Sequence, residues 1–333
     1  MAQPRSVHLV IRALLAPGRR QSILLLALLI LGTLLLLAFT APDPGQPRSD
    51  ETVPPATGVI ERAPAPLPDT GSADVAGTEN PAESDVQLLP LPLLDAAPPQ
   101  GADVVLIIDD LGNNLSAGQR ALALPAGITF AVLPHTPHAR TLAEQAHAEG
   151  KEVMLHAPMS NLSRMPLGRG GLTPDLDKEE FRETLEESLA AVPHIRGVNN
   201  HTGSDLTARE QPMQWLMETL GQRHLYFVDS VTTHDSVAGD VAEKAGIPVL
   251  RRHVFLDNSD DPADIDREFR RLLDVAGRKG LAVGIGHPYP ETLTYLETAL
   301  PLLDALGYRL RFVSEMLPGE AIDSTAPLLT PEL

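Results

Sequence analysis

Cysteine is absent from the 333 residues. That excludes disulfides, thiolate zinc sites, iron–sulfur clusters and a cysteine nucleophile, so any metal must rest on His, Asp or Glu. Basic residues are also scarce, with 26 Lys and Arg facing 44 Asp and Glu for a formal net charge of −18. A general nucleic-acid binder needs a cationic surface to displace counterions from phosphates, so that class is set aside. Aromatics make up 4% of the chain, with a single Trp. The Gly-x-Ser-x-Gly pattern of a serine nucleophile elbow is missing. Gly168, Gly170 and Gly171 lack the strand, Lys-Ser/Thr and helix context of a phosphate loop and read as a mobile loop.

What is present divides into unlike segments. Residues 22–40 form an uncharged apolar run close to the ~20 residues that cross a hydrocarbon core. Arg5, Arg12, Arg19 and Arg20 precede it and no acidic residue does. The positive-inside tendency keeps residues 1–21 cytoplasmic and exports everything after the run, predicting a membrane anchor followed by an exported domain. Cleavage as a signal peptide, with release of the exported part, is the alternative; no good Ala-x-Ala site follows the run. Residues 41–100 hold 13 of the 31 prolines among Asp, Glu, Ala, Ser and Gly. With few apolar anchors, this stretch reads as a disordered tether, and residues 318–333 read as a flexible tail.

Residues 101–317 carry the folding signal. Short apolar runs at 104–108, 128–133, 152–156, 197–200, 225–229, 247–251, 281–286 and 309–313 predict strands. Between them, spacings of three and four predict helices, including 138–149, 178–192, 207–222 with a Thr-Ala-Arg-Glu capping box, and 290–306. This alternation is that of an α/β domain. Its density favours a closed or nearly closed (β/α) barrel of about seven to eight parallel strands over an open sheet.

Polar residues recur where the strands end. Asp109 and Asp110 close the first run, His156 the third, Asn199, Asn200 and His201 the fourth and Asp229 the fifth; His287 follows the seventh. In a parallel barrel these ends share one rim, so distant residues can line one pocket. Taken singly, each also fits a bland role as helix cap, core histidine or turn residue. Adjacent carboxylates repel unless a cation or proton intervenes, and two imidazoles with a carboxylate suit Zn²⁺ or another divalent ion. His135 and His138 read as loop and helix-start residues, and Trp215 as core. Tyr289, Arg252 and Asp257 are candidate sugar contacts; Arg252 and Asp257 fit a structural ion pair and turn equally.

The runs VVLIIDDLGNN, ITFAVLPHTPHAR, EVMLHAPM, GVNNHTGS, VFLDN and AVGIGHPYPETL, in that order, resemble the divergent polysaccharide deacetylase family of Gram-negative envelopes. That family is related to metal-dependent deacetylases that remove acetyl groups from N-acetylated sugars on a distorted (β/α) barrel. The resemblance implies Asp109 as base, Asp110 and His156 as metal ligands, and His287 as general acid. Ser160 stands where those relatives carry the second histidine of His-x-x-x-His. His201 on the neighbouring strand is the candidate replacement, and Asn200 and Asp229 are expected to orient the ligands. The implied function is hydrolysis of an acetylated glycan. The alternatives are a non-catalytic scaffold that binds glycan or an envelope protein, and a phosphatase-like site on an open sheet. The expected partners are a glycan and the inner membrane, with no nucleic acid and no protein partner named.

Overall fold

The structure is a computed structural model and describes residues 101–317 apart from residue 126. The expected cytoplasmic segment, membrane span, tether and tail lie outside the described residues. Among those described, no helix is long and apolar enough to cross a membrane.

Among the described residues nine strands make one sheet in which every pairing is parallel. In chain order they are β1 (Ala102–Leu111), β2 (Ile128–Val132), β3 (Glu152–Met159), β4 (Ile195–Thr202), β5 (Tyr226–Asp229), β6 (Val249–Arg251), β7 (Val254–Phe255), β8 (Leu281–Gly286) and β9 (Tyr308–Arg311). The helices between them are α1 (Leu115–Leu122), α2 (Ala139–Ala148), α3 (Lys178–Ala191), α4 (Glu210–Gln222), α5 (Ala238–Lys244), α6 (Pro262–Lys279) and α7 (Pro290–Ala299). The strand order is β6-β5-β4-β3-β2-β1-β8-β7, with β9 alongside the first half of β1.

The sheet curls into a barrel that backbone pairing does not quite close. Among the described residues β6 pairs only with β5 and β7 only with β8, and just Arg252 and His253 separate them. The Arg252 amide donates to Asp229 O (3.0 Å) and the His253 amide to Val283 O (2.8 Å), so one dipeptide bridges the two sheet edges.

Both faces of the sheet are buried, which explains the continuous apolar runs. On β1, Val105 and Ile107 join Ala131, Met154, Val228, Val283 and Ile285 inside the barrel. Val104, Leu106 and Ile108 face the helices. At the amino-terminal end of the barrel the buried Glu152 carboxylate accepts from Tyr226 OH (2.9 Å), Thr129 Oγ1 (3.0 Å) and the Ser314 amide (3.2 Å). A buried charge with this many donors is tolerated, and it closes the floor opposite the rim.

Tyr226 fits because Gly197 opposes it; a Cβ there would lie 2.1 Å from the tyrosine ring. Gly197→Ala is therefore expected to cost about 2–3 kcal/mol by overpacking. A lower urea midpoint at unchanged slope reports that loss; an unmoved midpoint refutes the packing argument.

Two predicted helices differ in their bounds. α4 begins at Glu210 after Arg209, not at Thr207, whose hydroxyl bonds Gly203 O (2.9 Å) within a turn. Pro212 dictates this start, because its missing N–H is tolerated only in a first turn. The capping box lies instead on α3, between Asp177 and Glu180. α7 stops at Ala299 and gives way to two 3₁₀ turns, the first containing Pro301.

Candidate metal centre

The centre begins with an irregularity in β1. Its alternation carries Val105, Ile107 and then Asp109 into the barrel, so Asp110 should point outward. Between Ile108 and Leu111 the register against β2 slips by a bulge, and Asp110 takes a left-handed φ of 61°. A bulge of this kind re-aims a side chain, and here both carboxylates turn to the same side. Gly112 (φ 128°) completes the turn, where a Cβ would collide with Thr136 Oγ1 at 2.0 Å.

β3 and β4 supply the imidazoles. Their register pairs His156 with Asn199 and Pro158 with His201, and period-two alternation puts Asn199 and His201 on one face. Asp110 Oδ1 lies 3.2 Å from His156 Nε2 and 2.9 Å from His201 Nδ1, and the two nitrogens are 3.1 Å apart. Donors held at about 2.0–2.2 Å around one tetrahedral ion stand roughly 3.3–3.6 Å apart, so this triangle is close to a ligand set. Asp110 Oδ1 is buried and no hydrogen bond satisfies it. An orphaned buried carboxylate oxygen facing two imidazole nitrogens fits a cation. Burial would raise Asp110, yet the charge of His201 and the approach of both imidazoles outweigh it and hold the carboxyl well below its usual range.

Asp109 flanks this triangle, with Oδ2 3.6 Å from His156 Nε2. Burial pushes its carboxyl above the ordinary range, against the pull of His156, His287 and Asn199. On the other side, His287 Nε2 stands 3.9 Å from Asp110 Oδ2. Asp257 Oδ1 accepts a hydrogen bond from His287 Nδ1 at 2.9 Å, while its Oδ2 accepts from the His287 amide (2.7 Å) and Thr292 Oγ1 (2.8 Å). Burial alone would lower His287, but Asp257, helped by Asp110 and Asp109, pushes it up to about 9. The side chains of Asp110, His201 and His287 keep 9%, 14% and 12% exposure, so the cluster opens to solvent where they meet.

Other sequence-derived candidates sit differently. Asn200 binds the turn after β4 and β5, donating to Thr202 O (2.6 Å) and accepting from the Ser230 amide (2.9 Å). It touches no imidazole; the residue that does is its neighbour Asn199. Asp229 accepts from the amides of Val231 and Gly239 and from Ser236 Oγ, which ties down the approach to α5 instead of orienting a ligand. Asp257 is engaged by His287 and Thr292, and its side chain is fully buried. Arg252 donates to Ser230 O and Val231 O, stacks 4.9 Å over Phe255, and is lowered by burial to about 10. Ser160 bonds Asp205 (2.8 Å) and holds the neighbouring loop. Tyr289 lies beside His287, with ring centroids 5.2 Å apart.

A family model described as divergent polysaccharide deacetylase matches residues 106–317. The chain belongs to that family. The uncharacterized protein YibQ of Escherichia coli K12 is 39% identical over 232 residues, covering 70% of this chain and 72% of YibQ. An uncharacterized Haemophilus influenzae protein is 36% identical over 197 residues, covering 59% of this chain and 70% of its own. The crystal structure of an uncharacterized Agrobacterium tumefaciens C58 protein superposes with a TM-score of 0.63 at 23% identity, over 65% of this chain and 89% of that one. It shares the fold of this chain.

Proposed function

We propose that this divergent polysaccharide deacetylase is a metal-dependent hydrolase that removes acetyl groups from an N-acetylated glycan. One observation carries the reading: Asp110, His156 and His201 converge on one point with a buried oxygen unsatisfied, between Asp109 and the Asp257–His287 pair. Asp110, His156 and His201 would hold a divalent ion, with zinc the leading candidate from the donor set. Such an ion supplies Lewis acidity that polarises a carbonyl and acidifies water. Asp109 takes the proton of the attacking water, its basicity favoured by burial. His287, protonated and held at both its ring and its amide by Asp257, delivers a proton to the departing amine. The carbonyl C–N bond breaks, and acetate and a free amine leave.

The same proposal places the domain in the periplasm, held to the inner membrane through residues 22–40. The acidity of the chain makes neutral or amine-bearing glycans better substrates than strongly anionic ones. A non-catalytic glycan or envelope-protein scaffold is the second reading, motivated by Ser160 standing in place of the histidine of related enzymes.

The test measures metal in the purified full-length protein alongside acetate release from N-acetylated oligosaccharides, including peptidoglycan fragments. One equivalent of metal with acetate release supports the hydrolase. Metal without turnover across the panel favours the scaffold, and no metal overturns the centre.

A further inference from the structure

We infer that Asn199 is a positioning residue that fixes a metal ligand and the base with one amide group, a role that rests on the site proposed above. Its Oδ1 lies 2.7 Å from His156 Nδ1, and its Nδ2 donates to Asp109 Oδ1 at 2.9 Å and to Ser230 Oγ at 3.4 Å. Asn199 and His156 are both buried.

The roles of these atoms follow from the one partner that has no choice. Asp109, as a carboxylate, only accepts, so the amide nitrogen must face it. The amide oxygen therefore faces His156, and the Nδ1 that meets it must carry the proton. In a neutral imidazole the other nitrogen is then a lone pair. That nitrogen is Nε2, the atom aimed at Asp110 Oδ1 and His201 Nδ1. Asn199 thus selects the tautomer of His156 that can ligate a cation. By occupying Asp109 Oδ1, the same amide leaves Oδ2, 3.6 Å from His156 Nε2, as the oxygen free to take the proton.

Hydroxyl, carboxylate and cationic side chains do not do both jobs. A hydroxyl is shorter and has a single hydrogen. A carboxylate accepts from His156 but opposes Asp109 with like charge, and a cation repels a protonated or metal-bound imidazole. A carboxamide, by contrast, carries a fixed acceptor and a fixed donor on one planar group, independent of protonation. Asn200, the neighbour on the opposite face, cannot substitute, because its amide is committed to Thr202 O and the Ser230 amide.

The experiment uses the full-length protein with zinc as the probe and three readouts: zinc affinity by competition with a chelating dye, the ¹⁵N shifts of His156, and acetate release. In the wild type, His156 should report Nδ1–H with a zinc-bound Nε2. Asn199→Ala is expected to weaken zinc about 10–100-fold, as removal of an outer hydrogen-bond partner generally does, and to leave His156 in mixed tautomers. Asn199→Asp should behave differently. Its carboxylate still accepts from Nδ1–H, so zinc affinity stays within a fewfold of wild type, while acetate release falls at least 100-fold at saturating zinc because Asp109 is displaced.

A merely structural role would lower thermal stability without this split. Asn199→Ala retaining wild-type zinc affinity and a single tautomer overturns the inference, as does Asn199→Asp losing zinc and activity together. Acetate release absent from the wild type as well, with the zinc and tautomer effects intact, overturns the deacetylase reading and leaves the tautomer role standing.

Discussion

Asp110→Asn should leave the barrel folded but without tightly held zinc, lowering acetate release by about 10³-fold or more, since the Lewis acidity lost is worth several kcal/mol. The substitution is chosen for its backbone as much as its charge. Asp110 holds a φ of 61°, a conformation that Asn adopts more readily than other non-glycine residues, so the bulge survives. What disappears is the anionic oxygen between His156 and His201. Thermal unfolding with and without zinc reads the result: the wild type gains stability from the ion by mass action, and the variant gains none. Metal analysis should then find less than a tenth of an equivalent in the variant. Full zinc content there would move the ligand set elsewhere in the pocket.

The five strand-end residues Asp109, Asp110, His156, His201 and His287 were legible in the sequence because strand ends of a parallel barrel share a rim. What period two could not supply was phase. β4 is buried on both faces, so Asn199 and Asn200 carry the same polar signal and only the register against β3 tells which one meets His156. The inward turn of two consecutive carboxylates was likewise invisible, because alternation forbids it and only the left-handed φ of Asp110 allows it.

Asp257 was singled out in the sequence, but as a sugar contact or turn residue and not as the partner of His287. It follows β7, a strand of two residues with no periodic signature, and the expected support for the site was assigned to Asp229 at the end of a longer strand. Barrel closure was hidden too, since it rests on the Arg252–His253 dipeptide reaching two edges at once. The start of α4 was misplaced although Pro212 was in view: its missing N–H was a stronger constraint than the capping-box pattern before it.

Asp257→Asn carries the second large effect, through His287 and not through the ion. Asp257 is the chief cause that raises His287, ahead of Asp110 and Asp109, and together they overcome burial to bring it to about 9. The acid must be protonated to act, so the wild type keeps its general acid as pH rises toward that value, and a cation bound at Asp110 draws the limit lower. Replacing the carboxylate with an amide removes the dominant charge, so the alkaline fall in turnover should move to lower pH. Loss of a positioned general acid lowers the rate about 10²–10⁴-fold, and the variant at neutral pH should lie within or just above that loss.

The stability consequence has the same sign. A group whose folded value exceeds its unfolded one stabilises the protein fully below the unfolded value of 6.5 and loses that contribution as pH climbs through about 9. Wild type and variant should therefore differ most in thermal midpoint in mild acid and converge above the folded value. Zinc content, set by Asp110, His156 and His201, should stay at wild-type level. An unmoved alkaline limb, or zinc lost along with activity, would mean that Asp257 acts on the metal centre and not on the proton that His287 delivers.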